Sequence, residues 1–222
     1  MNLDVSPDTA TAIDRLSERI VAAAPRSLVL TGGTTAGAAY EQLASEAWRD
    51  RIDWSRVTLY FGDERRVPPD DPGSCYRLVV ETLLTGVQPV AVERMRGEKP
   101  DGDAEAERYG AALPERLDVT LLSMGEDGHC ASLFPGSPQL AERDRLCTTG
   151  VAPYAPYERI TLTLPALARS KLVLILALGE RKRDALARIR AGEPLPSAQV
   201  TPVDGEVVWI VDQAALGSPQ TA

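Results

Sequence analysis

A chain of 222 residues, 44% hydrophobic and 25% charged, has enough apolar material for one substantial globular core. A formal net charge of −8 sets it against nucleic acid, and a small anionic ligand would need a local basic cluster to be held. No apolar run approaches the roughly 20 residues of a membrane span.

The polar start, MNLDVSPDTATAIDRL, lacks the apolar core of a signal peptide, so a cytoplasmic protein without membrane association is expected. Ile13, Leu16, Ile20 and Val21 recur at helical spacing between about Asp8 and Ala24, and Pro25 stops that helix. SLVLT, Ser27 to Thr31, reads as a short buried strand, and the turn TGGTTAG leads into a helix of about Ala38 to Trp48. RVTLYF, Arg56 to Phe61, is a second strand, followed by a charged loop GDERRVPPDDPGS. Helices of about Tyr76 to Leu84 and Asp103 to Leu113 precede a third strand, DVTLLSM, Asp118 to Met124. RITLTLPAL begins as a strand, and the longest apolar run, Leu172 to Leu178, is another. A charged helix from Glu180 to Ala191 follows, VVWIV (Val207 to Val211) closes the sheet, and Asp212 caps a last short helix. Apolar strands alternating with amphipathic helices predict a single α/β domain over 1–222, a mainly parallel sheet covered on both faces. Ligands of such sheets bind beyond the carboxyl ends of the strands, where the loops GGTT, GDERR and GEDGH all begin.

Each loop has its own chemistry. TGGTTAG matches neither a P-loop nor the dinucleotide fingerprint. Gly32 and Gly33 still permit a tight turn, Thr34 and Thr35 add hydroxyls, and the helix start offers N–H groups to an anion. In GDERR, Arg65 or Arg66 can grip a phosphate bidentately, and Asp63 can orient an imidazole or a sugar hydroxyl. His129, the only histidine, stands between Gly128 and Cys130, with Gly125 nearby and Asp127 or Glu126 available to fix its tautomer. GxSxG is absent, and Cys130 is a sequence neighbour whose side chain is expected to point away. The residues therefore read as a water-activating histidine in a loop-built site. Cys75, Cys130 and Cys147 are odd in number and scattered, which with one histidine disfavours a disulfide framework or structural zinc. Trp48, Trp54 and Trp209 read as packing residues, and oligomeric state leans to a monomer.

With these loops in view the chain resembles the 6-phosphogluconolactonase family. TGGTTA is similar to its GGSTP loop, YFGDERRVPPDDPGSCYRL to its GDERxVP…SNY segment, and LLSMGEDGHCASLFPGSP to its LGMGxDGHTASLFPG signature. MRGEKPDGDAEAERY, ERITLTLPAL, LGERKRDAL and SAQVTPVDGEVVWIVDQAA follow in family order. The resemblance implies a three-layer α/β/α fold with a Rossmann-like sheet. It also implies hydrolysis of 6-phospho-D-glucono-1,5-lactone to 6-phospho-D-gluconate in the oxidative pentose phosphate pathway, without metal or cofactor. By that likeness His129 is the base, Asp63 orients the base or the sugar, and Arg65, Lys182 and Arg159 are anion ligands. Gly32, Gly33 and Thr34 would form the phosphate cradle, and Gly125, Asp127 and Gly128 the base loop, whose N–H groups could face an oxyanion. This chain departs from the family at Cys75 (usually Asn), Cys130 (Thr), Ala36 (Pro) and Ser123 (Gly).

Two rivals carry weight. Glucosamine-6-phosphate deaminases share the fold and a DGH loop, but their loop continues toward Asn-Glu-Pro, where here it reads SLFPG and the second acid of that chemistry is lost. A non-catalytic sugar-phosphate sensor would bind without turnover.

Overall fold

The computed structural model describes residues 1–217; the last positions of the expected 1–222 domain lie outside them. The chain opens with a strand, Asn2–Ser6 (β1), that the polar N-terminal sequence concealed. Helix α1 (Thr9–Ala23) starts where the Asp8 carboxylate accepts from the Thr11 N–H at 2.8 Å. It ends at Ala24, held at φ 43° just before Pro25. After β2 (Ser27–Leu30), helix α2 runs Thr34–Ala44, beginning and ending about four residues earlier than the sequence suggested. Gly33 tolerates the φ of 104° that turns the chain straight from strand into helix.

Strand β3 (Thr58–Phe61) leads not into an irregular loop but, one residue later, into a short strand, Asp63–Arg65 (β4). Helix α3 (Cys75–Thr82) follows, capped by the Ser74 hydroxyl, which accepts from the Arg77 N–H. Strand β5 (Ala91–Val92), helix α4 (Gly102–Ala112), strand β6 (Leu117–Ser123) and two hairpin strands, β7 (Cys147–Val151) and β8 (Glu158–Leu162), come next. The chain finishes with α5 (Leu164–Leu167), β9 (Ser170–Ala177), α6 (Arg183–Arg190), β10 (Glu206–Asp212) and α7 (Gln213–Leu216). Asp212 caps α7 as expected, accepting from the Ala215 N–H at 2.9 Å.

Seven strands form one parallel sheet in the order β1-β10-β9-β6-β2-β3-β5. The edge is therefore closed by β1, not by Val207 to Val211. Side chains alternate between two cores. Leu28, Leu30, Leu174 and Leu176 pack with Leu16, Ile20, Tyr40 and Val79 of α1, α2 and α3. Val29, Val173, Ile175 and Val211 pack with Tyr109, Leu167, Leu186 and Ala215 on the opposite face. The result is the expected three-layer α/β/α fold. Trp54 and Trp209 are buried within these cores, whereas Trp48 lies at a rim under the Arg51 guanidinium.

A second, antiparallel sheet, β4-β8-β7, stands beyond the carboxyl ends of the main strands, so RITLTL pairs there and not in the main sheet. In the main sheet, β2 leads outward to β3 and β5, and β6 leads the other way to β9 and β10. The chain thus changes direction between β2 and β6, which places a crevice beyond their ends.

Candidate active site

The base loop grows from the end of β6. The Met124 N–H still donates to the Leu176 carbonyl at 2.8 Å, and then the chain folds back on itself. The Gly125 N–H donates to the His129 carbonyl at 2.8 Å, and the Gly128 N–H to the Gly125 carbonyl at 3.1 Å. Both glycines are obligatory. A Cβ on Gly125 would lie 2.0 Å from Nδ1 of His129, and one on Gly128, already at φ 83°, would lie 2.5 Å from Leu195. These two N–H groups hold the loop together.

The Asp127 carboxylate lies 2.5 Å from Nδ1 of His129 and accepts from the His129 N–H at 3.1 Å. Burial opposes the charge on Asp127, but its bonds to His129 outweigh that cost and hold the carboxyl below the ordinary range. An ionised carboxylate can only accept, so Nδ1 carries the proton and Nε2 presents its lone pair. Glu126, the other candidate partner, pairs instead with Arg181. The imidazole rests on Phe134, ring centres 4.5 Å apart, and the Tyr154 hydroxyl lies 3.5 Å from Nε2. Cys130 does point away, into the core, and burial pushes its thiol up to about 12.

Across the crevice, β4 and β8 set Arg65 directly opposite Arg159 in the ladder. Like charges in such a register repel each other, and Arg159 is 2% exposed. Burial first, and the Arg65 charge second, lower the Arg159 pKa from its ordinary value. Arg159 donates to the Pro156 carbonyl and Arg65 to the Gly73 carbonyl, which leaves two guanidinium groups close together with their charge uncompensated by an ion pair among the described residues. A Cβ on Gly32 would lie 3.6 Å from Nη2 of Arg65, so the arginine borders the α2 turn. The N–H groups of Gly32, Gly33, Thr34 and Thr35 have no acceptor among the described residues. Arginines and helix-start amides together make an anion cradle.

The structure revises other expectations. Asp63 does not reach His129; it accepts from the Ser132 hydroxyl at 2.6 Å, both groups buried, and so fixes the chain just after the base. Arg66 turns outward to the carbonyls of Lys99 and Pro100. Lys182 is half-buried in the 3-10 turn after β9, and its charged neighbours are Glu126, Arg181 and Asp127, on the base side of the crevice. Burial lowers its pKa from the ordinary lysine value. Glu64, unremarked in the sequence, is buried at the start of α3 and accepts from the N–H groups of Cys75 and Tyr76 and the Ser74 hydroxyl. Cys75 lies against Gly32, where an added Cβ would be 2.7 Å from the sulfur, and burial keeps its thiol protonated and uncharged.

A family model described as Glucosamine-6-phosphate isomerases/6-phosphogluconolactonase matches residues 5–209. The chain belongs to this family. The 6-phosphogluconolactonase of Streptomyces coelicolor is 37% identical over 85% of this chain and 80% of its own length. That of Synechocystis sp. is 33% identical over 90% of this chain and 88% of its own. Among solved structures, the 6-phosphogluconolactonase of Thermotoga maritima has a TM-score of 0.83 at 28% identity, covering 95% of this chain and 99% of that one. The family motifs at Gly32–Thr34, Asp63–Arg65 and Gly125–His129 thus converge from three strand ends on one crevice.

Proposed function

We propose that the protein is a 6-phosphogluconolactonase, hydrolysing 6-phospho-D-glucono-1,5-lactone to 6-phospho-D-gluconate. The observation that carries this reading is the Asp127–His129 pair, whose free Nε2 faces the same crevice as the Arg65–Arg159 cradle. Arg65, Arg159 and the amides of Gly32 to Thr35 hold the phosphate, and Lys182 adds positive charge near the base. His129 takes a proton from water through Nε2 as the water oxygen bonds to the lactone carbonyl carbon. The carbonyl electrons move onto its oxygen; on their return the ring C–O bond breaks, and the departing oxygen takes the proton from Nε2. Asp127 stabilises the imidazolium between these steps. Only protein groups and water take part, with no metal or organic cofactor. No described helix is long and apolar enough to cross a membrane. We read the protein as a cytoplasmic single-domain monomer acting on a small phosphorylated lactone, without nucleic acid.

The relatives at 37% and 33% identity, both named 6-phosphogluconolactonase, favour this over the isomerase branch of the family. The acids near the base also favour it, since Asp127 engages Nδ1, Asp63 engages Ser132 and Glu126 engages Arg181. The test is hydrolysis of freshly generated 6-phosphogluconolactone with the spontaneous rate subtracted, beside deamination of glucosamine 6-phosphate. Acceleration of the first alone supports the proposal. Acceleration of the second alone would move the protein to the deaminases, and binding of 6-phosphogluconate with neither activity would make it a sensor.

A further inference from the structure

The segment between β7 and β8 belongs to none of the family motifs in the sequence, yet it supplies a side chain that reaches from the Arg159 end of the crevice to His129. Its base is pinched by the Ala152 N–H donating to the Tyr157 carbonyl at 2.7 Å. Arg159 braces it from below by donating to the Pro156 carbonyl. Between these restraints stands Tyr154. Its ring meets Phe134 edge-on, centres 5.7 Å apart at 90°, and lies 5.9 Å from the Arg159 guanidinium carbon. Its hydroxyl lies 3.5 Å from Nε2 of His129. One residue thus spans from the anion cradle to the base.

The 3.5 Å separation is informative. It is long for an O–H···N bond, yet a water beside the pair, off the line that joins them, can lie within ordinary hydrogen-bond distance of both. We propose that Tyr154 is a positioning residue of this enzyme: its oxygen holds the attacking water at Nε2 of His129, and its ring orders the Arg159 end of the crevice. This rests on the lactonase reading. The water directs one O–H bond to Nε2 and the other to the tyrosine oxygen, so an oxygen lone pair is left for the carbonyl carbon. Only the first proton is transferred; the tyrosine keeps its own and accepts a hydrogen bond throughout. Burial raises the Tyr154 pKa, which keeps it neutral under working conditions.

The two halves of the proposal separate in two variants. Tyr154→Phe keeps the ring and removes the oxygen. Its kcat is expected to fall about fivefold, the worth of one hydrogen bond, with KM and 6-phosphogluconate affinity unchanged. Tyr154→Ala removes both, and is expected to show the same loss of kcat together with about fivefold weaker 6-phosphogluconate binding. Circular dichroism and melting of both variants show whether the fold is kept. A folded Tyr154→Phe with the parent's kcat would overturn the water-holding role, and Tyr154→Ala with the parent's affinity would overturn the ordering role. Failure of the parent itself to accelerate lactone hydrolysis is a different result, and would remove the lactonase reading and this proposal with it.

Discussion

Gly125 shows how closely single residues define this site. A methyl group there would lie 2.0 Å from Nδ1, so the imidazole can reach Asp127 only because position 125 has no side chain. Gly125→Ala is therefore expected to lose activity by roughly a hundredfold while the sheet beneath it still folds. A variant retaining near-parent kcat/KM, measured on fresh lactone, would show that the ring does not need this place. Asp127→Asn tests the other partner. It keeps the shape but removes the charge that stabilises the imidazolium, so kcat is expected to fall about ten- to a hundredfold, with KM little changed. Arg159→Met addresses the cradle: product affinity by calorimetry should fall at least about tenfold, because a charge-assisted grip on phosphate is lost. Unchanged affinity would place the phosphate elsewhere.

At the scale of elements, two carboxylates join pieces that are far apart in sequence. Asp212, at the end of β10, accepts from the Thr9 hydroxyl, the Gly179 N–H and the Ala215 N–H. Asp212→Ala leaves these donors unpaired at a buried junction, and denaturant melts should show a loss of about 2–3 kcal/mol. Asp118, on β6, accepts from the N–H groups of Arg26 and Ser27 at the start of β2 and from Lys171 at the start of β9. Burial alone would raise its pKa, but the Lys171 and backbone bonds lower it below the ordinary value. A carboxyl with a lowered pKa in the fold stabilises fully above its unfolded value, about 3.9, and loses that contribution as pH falls through the folded value. The stability difference between the parent and Asp118→Asn should thus be constant above about pH 5 and shrink in more acid solution. The element boundaries show what patterning reveals. Apolar runs such as Leu172 to Leu178 announced the inner strands, whose burial on both faces leaves no other reading. Strand β1 stayed hidden because it is an edge, with Asn2 and Val5 exposed, and so lacks a continuous apolar run. Strand β4 stayed hidden because Asp63, Glu64 and Arg65 are strand residues only by pairing with β8, a contact about a hundred residues away in the chain.

For the whole molecule, the three cysteines are all buried. Burial pushes Cys130 and Cys147 up to about 12 and raises Cys75 as well, so each remains a thiol at neutral pH. Labelling with a thiol reagent should be slow in the native protein up to about pH 9 and rapid after unfolding; fast native labelling would contradict the packing of Cys75 against Gly32 and of Cys130 and Cys147 in the core. The site as a whole was partly legible. The loops carried their motif residues to one rim because strand ends in a parallel sheet all face the same way. The role of Asp63 was not legible, since nothing in GDERR foretells that Ser132 will meet it across the crevice. Tyr154 was not legible either, because its importance comes from the second sheet lifting its loop over His129. These features meet in one claim, that His129 activates water above a bound phosphate ester. The most direct measurement compares the parent with His129→Ala at equal concentration, on lactone generated in the cuvette and corrected for spontaneous opening. Clear acceleration by the parent and a loss of roughly a hundredfold or more in the variant is the expected result. Equal acceleration by both proteins would contradict it.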